Sequence, residues 1–209
     1  MANSIVLPGQ MVSDKPARLP YCYVENNKTY ATVLSLLSDD GRLVPLCGPY
    51  EPLLDDYVVS YVSEVRFSGY NININCPANA YLSGREVAQK LTVGDVLYAR
   101  ISAVDEIKSV ELNDARLLRG GTIIEIAAAK VPRVIGKKNS MIGMISAATG
   151  CEIYVGRNGF IWVSSKGNQK LAADTIRMVE AQAHITGLTD RIKAHLDAHK
   201  AAASPAAQN

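Results

Sequence analysis

A turn suited to gripping phosphate interrupts the C-terminal half of this 209-residue chain. Gly136-Lys137-Lys138-Asn139 falls between two short helical pieces in VPRVIGKKNSMIGMISAATG. A glycine lets the backbone approach an anion closely, two ammonium groups neutralise it, and helix N-terminal amides point the same way. Lys130 and Arg133 stand just upstream and extend the cationic run. The charge distribution singles out the same region. Residues 119–170 carry eight Lys/Arg against two Asp/Glu, a balance of +6; residues 1–118 carry ten against fourteen, and residues 171–209 four against four, for a net +2. A basic block in an otherwise mildly acidic chain fits a polyanionic partner. The competing reading of the same four residues is a solvated basic turn. Asn139 tolerates left-handed backbone angles, but its side chain adds bulk where glycine would leave room.

Other residues point to nucleic acid or to nothing chemical. Phe67, Tyr70 and Tyr81 are placed to stack on bases, with Arg66, Arg100 and Arg116 near phosphates; the alternative is that rings in strands are structural. Gly156-Arg157-Asn158-Gly159 reads as a tight hairpin needing unusual backbone angles, with Gly156, Asn158 and Gly159 structural. Catalytic constellations are missing from the sequence. His184, His195 and His199 fall in one helical region, and the i,i+4 pair lacks the Glu and third ligand of a zinc protease. There is no GxSxG, no Walker loop and no GxGxxG after a strand. Cys22, Cys47, Cys76 and Cys151 are widely spaced and form no CxxC pair, so ordinary thiols in a reducing compartment are expected. No catalytic activity, no metal and no cofactor is expected. MANSIVLPGQMVSDKP lacks a basic leader and a long apolar run, and no stretch of about 18 apolar residues occurs, so neither signal peptide nor membrane partner is expected. The expected location is cytoplasmic.

The elements that would position these residues divide the chain into modules. With 48% apolar and 20% charged residues, the chain has the composition of an ordinary globular protein. Residues 1–52 are cut by Pro8-Gly9, Pro16, Pro20, Asp39-Asp40-Gly41, Pro45 and Gly48-Pro49 into short strands, including one over 29–37, which predicts a small β domain. Residues 53–118 contain five β-rich pieces, with the alternation Asn71-Ile72-Asn73-Ile74 and one brief helical piece near 85–90. A five-stranded barrel of the OB fold fits best. Residues 119–186 read β-α-turn-α-β-β-α, the order of a type I KH domain, its last helix spanning about 169–184. Residues 187–209 predict a short helix and a frayed tail. The fold class is therefore multi-domain α+β.

This arrangement resembles the RNA-binding cap subunit of the archaeal exosome, the Rrp-four family of S-one/KH type. IVLPGQMVS, LTVGDVLYARISAVD, KVPRVIGKKNSMI, GRNGFIWV and GLTDRI carry the resemblance, which spans about residues 5–190. The resemblance implies a non-catalytic role: a trimer of caps on a hexameric ring of ribonuclease-PH-like subunits, recruiting single-stranded RNA, with preference for A-rich 3′ tails, and feeding it into the central channel for 3′-to-5′ degradation. It also implies that the turn at Gly156–Gly159 serves domain packing and that residues 1–52 dock on the ring. The family's Phe-Gly-x-Phe stacking pattern reads Ser68-Gly69-Tyr70-Asn71 here, so backbone charge is expected to dominate RNA contact. The other reading is a free-standing OB/KH transcription or translation factor that binds RNA alone.

Overall fold

Proline and glycine set the strand lengths of the first fifty residues. The computed structural model describes residues 4–17, 19, 21–37, 43–105, 109–183, 185 and 187–203. The expected turns at Pro20 and Asp39-Asp40-Gly41, together with His184 and the tail beyond 203, lie outside the described residues. Among the described residues, six short strands result: β1 (Ser4–Val6), β2 (Met11–Ser13), β3 (Cys22–Glu25), β4 (Lys28–Ala31), β5 (Ser35–Leu37) and β6 (Leu43–Pro45). They build two antiparallel three-stranded sheets, ordered β1-β5-β6 and β2-β4-β3. The single strand expected over 29–37 is two strands in different sheets. Residues 32–34 leave the ladder, and the Thr32 N–H donates to Tyr21 O at 2.8 Å. Thr29 is fully buried. Its hydroxyl accepts from the Ala17 N–H at 2.9 Å and donates to Lys15 O at 2.8 Å, tying the loop after β2 to β4.

The chain compacts into two units, residues 1–51 with 127–129, and residues 52–126 with 130–209. In the second unit, β7 (Tyr57–Val65), β8 (Gly69–Asn73), β9 (Ala80–Ser83), β10 (Val96–Val104) and β11 (Val110–Leu118) close into a barrel ordered β10-β11-β9-β8-β7. β9 and β11 pair in parallel, and β7 pairs β10 to shut the ring. This is the OB arrangement. Period-two alternation sends Val58, Val62, Ile72, Leu82, Leu97, Ile101 and Leu112 inward, all buried. The helical piece expected near 85–90 is a series of turns and bends. Six residues without a buried stripe offer too few hydrogen bonds to offset helix nucleation.

The remainder of this unit begins with β12 (Gly121–Glu125) and a 3-10 turn, followed by α1 (Val131–Ile135) and α2 (Ser140–Thr149). The hairpin β13 (Ile153–Val155) and β14 (Phe160–Ser164), α3 (Gln169–Ala181) and α4 (Leu188–Ala203) complete it. The antiparallel sheet order is β12-β14-β13, and the succession of elements is that of a type I KH domain. Ile124, Val134, Ile145, Ile161, Val163 and Ile176 form its core. α4 contributes Leu188, Ile192 and Leu196, spaced i, i+4, i+8 on one face, to the same core.

Barrel and KH domain share a second, smaller core of Val59, Leu118, Phe160 and Trp162, flanked by Tyr61, Tyr98 and Tyr154. The Tyr98 and Tyr154 rings lie 5.0 Å apart and those of Tyr61 and Phe160 6.2 Å apart. Asn158, at the tip of the β13–β14 hairpin, is fully buried in this joint. Its Nδ2 donates to Val59 O at 2.7 Å and to Ile74 O at 3.0 Å, and its own carbonyl accepts from Asn75 Nδ2 at 3.1 Å. The Arg157 N–H donates to Tyr57 O at 2.9 Å. Gly156 is required by close approach: a Cβ there would collide with Asn158 Oδ1 and the Val59 main-chain nitrogen. Gly159 completes the turn at φ +86.

Candidate nucleic-acid interface

The Gly136–Asn139 loop is shaped by how α1 stops and α2 starts. α1 carries proline in its first turn and ends after five residues, where the Gly136 N–H donates to Pro132 O at 3.0 Å. Gly136 takes φ 73, ψ 172 and sits against α2 so closely that a Cβ would meet the Met141 nitrogen at 2.7 Å. Lys137–Asn139 then form one 3-10 turn. Lys138 (φ 53, ψ 39) and Asn139 (φ 62, ψ 20) are both left-handed. The left-handed backbone at the fourth position explains why glycine suits it and why asparagine is an acceptable substitute.

The loop's cations are exposed. Among the described residues, no carboxylate pairs with Arg133, Lys137 or Lys138, all three exposed. Lys130 is engaged differently: its Nζ donates to Glu180 O at 3.1 Å, satisfying a carbonyl in the last turn of α3. The loop therefore concentrates unneutralised positive charge on a closely packed turn, which is what binding a sugar-phosphate backbone requires.

The barrel arginines have partners. Arg66 Nη2 lies 2.8 Å from Glu64 Oε2. Arg100 is held by two carboxylates, Nη1 to Asp55 Oδ1 at 2.9 Å and Nε to Asp114 Oδ2 at 3.0 Å. The bond to Asp114 pushes the guanidinium pKa above its ordinary value. Arg116 approaches Glu152 at 3.9 Å and lies 5.3 Å over the Tyr154 ring. The Tyr154 hydroxyl donates to Glu152 Oε1 at 2.8 Å, and partial burial together with that carboxylate raises its pKa. Each of these arginines thus lies beside at least one carboxylate, at 2.8 to 3.9 Å.

The aromatic candidates separate in the same way. Tyr70 is 8% exposed and faces the barrel interior, its hydroxyl accepting from the Leu91 N–H at 3.2 Å. The Tyr81 hydroxyl donates to Ser68 Oγ at 2.9 Å, and its ring lies against Gly69. Phe67, at the β7–β8 turn, is fully exposed. Three features have no single-residue signal in the sequence: the burial of Asn158, the ring series Tyr57–Tyr98–Tyr154–Trp162, and a polar cleft of about 240 Å³ lined by residues including Asn71, Asn73, Cys76 and Asn79. Among the described residues, no group of three or more His, Cys, Asp or Glu is placed to hold a metal ion. No helix among them is long and apolar enough to cross a membrane.

Comparison with known proteins places this geometry in a family. A KH-domain family profile matches residues 121–169. The exosome complex component Rrp4 of Pyrococcus furiosus is 36% identical over 215 residues, covering 91% of this chain and 81% of the relative. The exosome complex component Rrp4 of Picrophilus torridus is 38% identical over 217 residues, covering 95% and 94%. A crystal structure of a protein assigned as exosome complex RNA-binding matches with a TM-score of 0.68 at 30% identity, covering 75% of this chain and 99% of that one.

Proposed function

The chain belongs to the Rrp4 family of exosome complex components, and from that premise we propose that it is a non-catalytic RNA-binding subunit of an exosome. Three copies cap a hexameric ribonuclease-PH-like ring in the cytoplasm, hold single-stranded RNA, including A-rich 3′ tails, and pass its 3′ end to the ring for degradation. The small β domain of residues 1–52 docks on the ring. The KH loop makes the main phosphate contact.

The observation that carries this reading is the contrast in charge state. Arg133, Lys137 and Lys138 point into solvent without carboxylate partners among the described residues, whereas Arg66, Arg100 and Arg116 each lie beside one or two. Phosphate contacts position a strand and carry no sequence information. Lys137→Ala with Lys138→Ala therefore weakens A-rich and U-rich oligomers alike. Two lost contacts flatten the plot of log K against log salt by roughly 1.4, at about 0.7 per contact for single strands. An unchanged slope for every sequence refutes the loop's role.

A further inference from the structure

The KH domain carries a second cationic surface at the end opposite the Gly136–Asn139 loop. Four segments meet there. Arg119 precedes β12 and donates from Nη2 to Gln89 Oε1 at 2.8 Å, which brings it beside the β9–β10 connection and Lys90. The Ser165 N–H donates to Gly120 O at 3.0 Å, so Lys166 follows directly on the β12 end. Gln169 Nε2 donates to Thr122 Oγ1 at 2.9 Å and Val163 O at 3.0 Å, setting Lys170 at the same edge. Lys90, Arg119, Lys166 and Lys170 are all exposed. Among the described residues, none of them is ion-paired with a carboxylate.

Structural duties do not account for these cations. The acid nearest Arg119 by strand register is Asp95, and its Oδ2 is taken by the Thr92 N–H at 2.7 Å and the Thr92 hydroxyl at 3.1 Å. The first turn of α3 contains no acid to balance Lys170, and Asp174, one turn on, forms no ion pair among the described residues. Distance from the loop follows from the helices. The Asn168 N–H donates to Thr149 O at 2.8 Å, so the patch adjoins the C-terminal end of α2, while the loop precedes its first residue. Ten residues of α2 separate them by about 15 Å.

We propose that Lys90, Arg119, Lys166 and Lys170 form a second contact surface for the sugar-phosphate backbone of a single RNA strand whose other contact is the KH loop. The assignment rests on the RNA-binding function proposed above and adds a path to it. A strand held only at the loop leaves these charges idle. A longer strand crosses the domain and engages both ends, so that affinity grows with length beyond what one KH loop clamps. Charge complementarity selects a polyanion, and the separation selects an extended one.

The test compares Lys166→Ala with Lys170→Ala against Lys137→Ala with Lys138→Ala in the full chain. Both pairs are exposed, and both variants are expected to melt at the wild-type temperature. The probes are single-stranded RNA oligomers of about four nucleotides, the length a KH loop clamps, and about twelve. The Lys166/Lys170 variant keeps wild-type affinity for the short oligomer. For the long one it loses about 25-fold at 0.1 M salt, with a slope flatter by about 1.4, each contact contributing roughly fivefold there. The loop variant loses affinity for both lengths. Unchanged long-oligomer affinity in the Lys166/Lys170 variant, with the loop variant still impaired, overturns this proposal alone. Intact RNA binding with lost ring assembly assigns the patch to a protein partner and also overturns it. Absence of RNA binding by the wild-type chain at either length overturns both this proposal and the function it rests on.

Discussion

Replacing Asn158 with alanine removes the polar anchor of the barrel–KH joint. Its Nδ2 satisfies two carbonyls, Val59 O at 2.7 Å and Ile74 O at 3.0 Å, across 99 and 84 residues of sequence. The side chain is fully buried, so its carbonyl partners are shielded from bulk solvent. Two buried acceptors left unpaired at about 1–2 kcal/mol each give a loss of about 3 kcal/mol. For a unit of this size that lowers Tm by roughly 6–12 °C. Asn158→Asp sharpens the test because it preserves shape and inverts the hydrogen bond. A carboxylate facing two carbonyl oxygens is destabilised, so its folded pKa rises above the unfolded value of about 3.9. A group whose folded pKa is raised favours folding most below its unfolded pKa and loses that contribution as pH rises through the folded one. The aspartate variant is therefore most stable near pH 4 and falls away toward pH 7, relative to wild type over the same range. Thermal melts from pH 4 to 8 on the full chain measure both effects. An alanine variant within about 0.5 kcal/mol of wild type, or an aspartate variant whose difference from wild type ignores pH, refutes the reasoning.

Three further outcomes follow from the same geometry. Arg100→Ala lowers stability only slightly, because exposed ion pairs are screened by solvent even where two carboxylates share the cation, and lowers RNA affinity less than twofold; denaturant titration and binding measured side by side separate the two. Asn139→Gly relieves a left-handed asparagine and clears the approach to the loop, tightening RNA binding a few-fold, and unchanged affinity for every sequence marks the loop as a solvated turn. Phe67→Ala leaves Tm unchanged because the ring is fully exposed, while a stacked base would be lost at a cost of about 1–3 kcal/mol in RNA affinity; equal affinity removes Phe67 from the interface.

The parts of this molecule written in local pattern were readable from sequence, and those made by distant partners were not. The alternation around Ile72 and Ile74 and the switch of period after residue 127 were enough for the barrel and the KH order. The same alternation contained a signal about Tyr70: it shares the i, i+2, i+4 face of Ile72 and Ile74, and that face is buried. Arg100 looks like a free phosphate ligand in sequence because its carboxylates stand 45 and 14 residues away. The strand break at residues 32–34 depends on Tyr21 O accepting from Thr32, again a tertiary bond. The KH loop is the opposite case, since its glycine, its lysines and its lack of nearby acids are all local.

Reconstitution tests the central claim most directly. A ribonuclease-PH-like hexamer is assayed on a single-stranded RNA with an A-rich 3′ tail, alone and with this chain added as wild type or as Lys137→Ala with Lys138→Ala. The account predicts no degradation by the chain alone. With the ring it predicts tighter substrate binding and longer processive runs, a gain cut sharply by the loop variant. Degradation by the isolated chain that a point mutation in it abolishes, or a ring whose RNA affinity and processivity ignore the added chain, would contradict the account.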